Sequence, residues 1–177
     1  MGIIQQPQPV CPICAVCSGE ESLLLQVLKE IQELLGNLQS RSAVIDFNFT
    51  TYYQEEMGGN LLKVYAAFAD LTDPGLLPQW KHRTNEIESR YMINDKRTVN
   101  IDPGYIEAAK LVLASTKNFS HRIYIGQGIY GDLQLTWRKG GFQANPWTYP
   151  DYRDERVLSF FNSVRNDYWT KLRKGIS

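Results

Sequence analysis

The sequence has no surplus of charge of either sign: nineteen lysines and arginines balance nineteen aspartates and glutamates. That balance excludes a general electrostatic attraction to nucleic acid or to an anionic membrane and leaves room only for local patches. Long hydrophobic runs are missing too. The longest, such as Cys11 to Cys17 and Leu111 to Ala114, fall well short of the roughly 20 apolar residues that cross a bilayer. The start, Met1-Gly2-Ile3-Ile4, carries no basic segment of a secretory signal, and Gln6 stands where a myristoylation motif has serine or threonine. The expected setting is the cytoplasm, with no membrane partner.

Histidine is nearly absent, with only His82 and His121, which excludes a histidine-rich metal site. The phosphate-cradling G-x-x-x-x-G-K-[ST], the nucleophile elbow G-x-S-x-G and the zinc motif H-E-x-x-H do not occur. Gly126, Gly128 and Gly131 make a G-x-G-x-x-G string, but between two predicted strands instead of at a strand-to-helix turn, so it reads as turn and bulge glycine. The three cysteines, Cys11, Cys14 and Cys17, are an odd number and argue against a disulfide framework. Their C-x-x-C-x-x-C spacing invites an iron–sulfur reading, yet the fourth thiolate is lacking. In a strand the three sulfurs alternate between faces, as small apolar residues of a buried element do. No metal site is expected, and no cofactor is specified.

What is present is a chain of 177 residues, 43% of them hydrophobic, enough for one good core and too little for two. The reading is a single domain over 1–177, with a core from about residue 8 to 155 and a C-terminal helix over about 154–172. A buried strand, Val10 to Val16, leads to Ser18-Gly-Glu-Glu21, which has the form of a capping box. A helix follows, with Leu24, Val27, Leu28, Ile31, Leu34 and Leu35 at helical spacing and Gly36 as its stop. Val44 to Thr50 alternates as a half-buried strand, while Leu61 to Ala69 is apolar on both sides and reads as an inner one. A second helix follows Asp73-Pro74 and runs through Trp80, Thr84, Ile87 and Tyr91, and Thr98 to Ile101 makes a fourth strand. That order is the split β-α-β of the ferredoxin-like fold, so the class is α+β, with a βαββαβ core whose second and fourth strands lie at the edges. Beyond the core, Asp102-Pro103-Gly104 predicts a short helix from about Pro103 to Ser115. A hairpin of His121–Gly126 and Ile129–Arg138, a third strand in Phe142 to Trp147 and an amphipathic helix complete the chain.

Strand alternation gathers Asp46, Asn48, Lys63, Tyr65, Asn100 and Asp102 on the sheet face opposite the two helices, with Arg122, Tyr124, Tyr130 and Asp132 joining from the hairpin. Such a face suits a phosphorylated or nucleotide ligand, because Lys63 and Arg122 offer charge-assisted bonds and the tyrosines offer stacking planes. A solvated face, or one covered by the C-terminal helix, explains the same pattern. Asp102 fits a helix N-cap as well as a base, and His121, between Lys117 and Arg122, fits either an anion site or a strand-start histidine bonded to backbone. Glu56, with Tyr53 nearby, lies in a loop that suits acid–base work or plain solvation.

Long motifs in order carry a resemblance. Phe47-x-Phe-Thr-x-Tyr-Tyr-x-x-Glu-Met-Gly58, Arg97-Thr-Val-Asn-Ile-Asp-Pro-Gly-Tyr105, Lys110-Leu-Val-Leu-Ala-Ser-Thr-Lys117, Ser120-His-Arg-Ile-Tyr124 and Pro146-Trp-Thr-Tyr-Pro-Asp-Tyr152 closely resemble the bacterial family catalogued as domain of unknown function 4416. The resemblance implies a small bacterial cytoplasmic protein and supplies no activity.

Two functional readings stay open. In the first, a binding or enzymatic domain takes a phosphate-bearing small molecule or nucleotide. Lys63, Asn100, Lys117, Arg122 and Tyr53 hold it, and Asp102, His121 and Glu56 act as acid–base groups. In the second, a non-catalytic module uses the aromatic segment Trp147 to Tyr152 against protein or RNA.

Overall fold

The computed structural model describes residues 2–49 and 54–175. The apolar run at the start forms β1 (Cys11–Ser18), buried along its whole length. Helix α1 (Glu21–Leu35) follows and ends at Gly36, whose φ of 93° favours glycine. The capping box does not form as expected: Ser18 is the last residue of β1, and its hydroxyl donates to the Thr98 carbonyl at 2.8 Å while accepting from the Glu20 N–H.

Next come β2 (Leu38–Arg41), which sequence patterning does not announce, β3 (Ile45–Asp46) and the single turn α2 (Gln54–Met57). The inner strand β4 (Leu62–Phe68) and helix α3 (Leu77–Arg90), preceded by a 3-10 turn at Pro74–Leu76, fall where expected. The hairpin is β7 (Arg122–Gly126) with β8 (Ile129–Arg138), extended by β9 (Gly141–Ala144); a 3-10 turn at Pro150–Arg153 then leads into helix α4 (Glu155–Lys174).

One expected helix is absent. Residues 103–115 belong instead to two strands, β5 (Val99–Ile106) and β6 (Lys110–Ser115), joined by a tight turn in which the Glu107 N–H donates to the Lys110 carbonyl at 3.0 Å. The Asp102-Pro103-Gly104 signal is local, and pairing overrides it: Asp102, Pro103 and Gly104 lie opposite Ala15, Cys14 and Ile13 of β1.

All strands join one antiparallel sheet in the order β2-β4-β1-β5-β6-β8-β7, with β3 also on β4 and β9 also on β8. The fourth core strand, β5, is therefore interior and not at an edge, because the sheet continues through β6. Helices α1 and α3 cover one face with Leu24, Val27, Ile31, Trp80 and Ile87. Helix α4 covers part of the other with Val157, Phe161, Val164 and Tyr168. The cysteines follow the alternation: Cys14 packs on the α1 side, and Cys11 and Cys17 pack on the opposite one. Their sulfurs do not converge, and burial pushes the Cys11 and Cys17 thiols up to about 12.

Candidate functional site

The sheet is not continuous across its middle. Strand β5 pairs with β1 from Val99 to Ile106 but meets β6 only at Gly104, Tyr105 and Ile106. Beyond Gly104 the two strands part, and the backbone of residues 99–103 faces a slot. Pro103 suits this place, since on the side away from β1 no ladder bond asks for its missing N–H.

Helix α3 closes the exposed backbone. The Ile101 N–H donates to Glu88 Oε1 at 2.7 Å, and Lys81 Nζ donates to the Ile101 carbonyl at 2.8 Å. Left unpaired, each of these buried groups would cost roughly 1–3 kcal/mol. Lys81 and Glu88 are seven residues apart, two turns of helix, so they lie on one face and act together in place of a paired strand.

The slot lets residues from opposite faces of the sheet meet. From α3 and β5 come Lys81, with Nζ 3.6 Å from Asp102 Oδ1 and 4.0 Å from Glu88 Oε1. Asn100 Nδ2 donates to Asp102 Oδ2 at 3.0 Å, and Arg97 Nη1 donates to Asn100 Oδ1 at 3.2 Å. Burial raises the Glu88 pKa, against the pull of Lys81 and of the bond from Ile101.

The far wall is built on Asp132, which is fully buried. Arg122 Nε and Gln134 Nε2 each donate to it at 2.7 Å, one to either oxygen. The other Arg122 nitrogens donate to the Tyr149 hydroxyl at 2.6 Å and the Lys117 carbonyl at 3.0 Å. Gln134 also anchors the loop that carries Tyr149, accepting from the Tyr149 N–H at 2.8 Å. Burial, with Asp132 adding to it, pushes the Tyr149 phenol up.

Between these walls lies a polar cleft of about 270 Å³ in which four cations, Lys81, Arg97, Lys117 and Arg122, stand against the carboxylates of Glu88 and Asp102. Two of these cations, Arg122 and Arg97, are also paired outside the lining, with Asp132 and Glu56; lysine and arginine side chains grouped in this way offer charge-assisted bonds.

Of the residues singled out in the sequence, Asn100, Asp102, Lys117 and Arg122 come together in this cleft. His121 stands behind it: the ring stacks on Trp147 at 5.1 Å, and Nε2 lies 3.3 Å from Asp132 Oδ1 without the alignment of a hydrogen bond. Glu56 is ion-paired with Arg97 at the rim. Lys63 is elsewhere, buried against Asp151 at 2.7 Å with the Phe47 ring 4.7 Å away. Tyr53 lies outside the described residues. The polar sheet face thus divides, one part roofed by the Pro150–Arg153 turn and α4, and the other opening into the slot.

Sequence reading did not find Lys81, Glu88 or Arg97. A signal was there: Lys81, Thr84 and Glu88 share the inner stripe of α3 with Leu77, Trp80 and Ile87, and all are buried. Charges at core-facing helix positions mark a built polar site.

No curated protein and no solved structure matches the chain significantly. The family model described as Domain of unknown function (DUF4416) matches residues 8–168, and the chain belongs to that family.

Proposed function

We propose that the chain is a binding or enzymatic domain for a phosphate-bearing small molecule or nucleotide, with the slot between β5 and β6 as its site. The observation that carries this reading is the four-cation lining of a polar cleft. Its volume is near the lower end of the roughly 300–1,000 Å³ usual for ligand pockets and suits a phosphate group with a small body. Lys81, fixed on the Ile101 carbonyl, and Lys117 offer ammonium groups to an anion. Arg122, each of whose nitrogens already donates a bond, supplies positive field and holds Tyr149. Asp102 is the acid–base partner; His121 acts through Asp132, and Glu56 through Arg97.

We also read the core as ferredoxin-like: β5-β1-β4-β3 is the neighbour order that a split β-α-β arrangement of four strands and two helices requires. A cytoplasmic setting is supported by cysteines that are buried and unpaired. The rival reading, an interaction surface over Trp147 to Tyr152, has less behind it. Thr148, Asp151 and Tyr152 are buried, and the Trp147 indole N–H donates to the Leu133 carbonyl at 2.6 Å.

The test is a thermal-shift screen of inorganic phosphate, sugar phosphates, nucleotides and divalent metals. The expected result is a raised melting temperature with phosphate-bearing ligands and, in the exposed variant Lys117→Ala, affinity weakened about tenfold, as loss of one charge-assisted bond predicts. If no phosphate-bearing ligand shifts the melt, or if Lys117→Ala binds like the parent, the assignment is wrong.

A further inference from the structure

Arg97 belongs to two hollows at once, lining both the polar cleft and a larger one of about 580 Å³ beside it. Its guanidinium straddles the divide. Nη1 faces the cleft, donating to Asn100 Oδ1 at 3.2 Å and lying 3.8 Å from Glu88 Oε2, while Nε turns the other way and donates to Glu56 Oε2 at 2.9 Å.

The second hollow differs in character. It lies among the start of α1, the end of α3, α2 and the turn after α3, and its lining is mixed: Leu23, Met57, Tyr91, Met92 and Ile93 form an apolar patch among polar and charged side chains such as Gln26, Arg90 and Lys96. Met92 and Ile93 are 43% and 64% exposed. The turn that presents Ile93 is held in place: Asn94 and Asp95 have φ of 51° and 59°, and Ile93 and Lys96 exchange two backbone bonds of 3.0 Å. Two central residues with positive φ make the tight hairpin turn that needs no ligand to form it. A preformed apolar patch within a mixed hollow, touching a cationic cleft, is an arrangement that suits an amphipathic small molecule.

We infer that the two hollows form one composite site for a phosphate ester, with its phosphate among Lys81, Arg97 and Lys117 and the apolar or aromatic part of its alcohol on Met92 and Ile93. Arg97 is the shared wall. Nε and Nη2 both donate to Glu56 in a pair that is partly exposed, at 27% and 48% of the two side chains, and this pair holds the guanidinium at the divide with Nη1 on the side of the phosphate. The inference rests on the reading of the polar cleft as a phosphate site, and it adds the class of ester.

Calorimetric titration of the full chain with inorganic phosphate and with adenosine 5′-monophosphate, chosen as an ester with an aromatic body, tests it. The nucleotide is expected to bind about tenfold more tightly than phosphate, the increment coming from apolar burial in the second hollow. Ile93→Ser and Met92→Ser, at exposed positions that leave the core intact, shrink that ratio toward one and leave phosphate affinity unchanged. If phosphate binds and the nucleotide binds no better, or if the two variants weaken both ligands equally, the composite site is wrong and the phosphate cleft survives. If neither ligand binds, both readings fall together.

Discussion

Lys63 and Lys81 are both nearly inaccessible, at 4% and 7% of full exposure, and their neighbours separate their roles. Burial works against the charge on Lys63 and is the largest single influence, but Asp151 at 2.7 Å, its hydrogen bond and Asp102 together outweigh it and raise the lysine's pKa. Tyr65 donates to the same carboxylate oxygen at 2.6 Å. That pair closes on itself and holds the Pro150–Arg153 turn to the sheet. Lys81 spends one bond on the Ile101 carbonyl and lies near two carboxylates at the wall of a cleft, so a guest anion can share it. Glu88 carries a testable consequence. Its pKa is raised on folding, so between the ordinary carboxylate value and the folded value the native state keeps a proton that the unfolded chain has lost. Stability therefore falls as pH rises through that window. Urea denaturation from about pH 4 to pH 7 should show Glu88→Gln gaining on the parent as pH rises; parallel profiles would contradict the assignment.

The slot is an element-scale feature, made where β5 leaves β6. At Gly104, the last paired residue, a Cβ would press on the Val112 carbonyl and come within 2.7 Å of Leu113 Cδ2, so the strands approach there as closely as glycine permits. Gly104→Ala is expected to cost about 1–3 kcal/mol, as overpacking does, measured as a lower urea midpoint. An unchanged midpoint would mean that the pairing yields more easily than this geometry allows. The same segment explains what the sequence hid. Helix α1, strand β4, helix α3 and the β7–β8 hairpin carry their periodicity and stops within themselves and were legible. Residues 103–115 carry a helix-start signal, and their strand identity comes from distant partners: residues 103–106 pair with β1, nearly ninety positions earlier in the chain, and Lys110–Ser115 pair with β8. The polar face was legible by alternation, as Asn100 and Asp102 show. For Lys81 and Glu88 the stripe of α3 shows only that two charges face the core; that they reach the site from the opposite face, through the gap between β5 and β6, no local pattern encodes.

At the scale of the whole molecule, one antiparallel sheet has α1 and α3 on one side and α4 on the other. Among the described residues no helix is long and apolar enough to cross a membrane. Most of the polar face is sealed by α4 and the turn before it, and the slot is where both faces supply side chains to one cleft. The account's central claim is that a phosphate-bearing ligand binds in that slot. Amide NMR spectra of the uniformly labelled chain, recorded during titration with inorganic phosphate, test it most directly. The account predicts shifts that saturate and cluster at residues 97–102 and 113–117, the two lips of the slot. Shifts that are absent, or scattered over the surface without saturating, would contradict it.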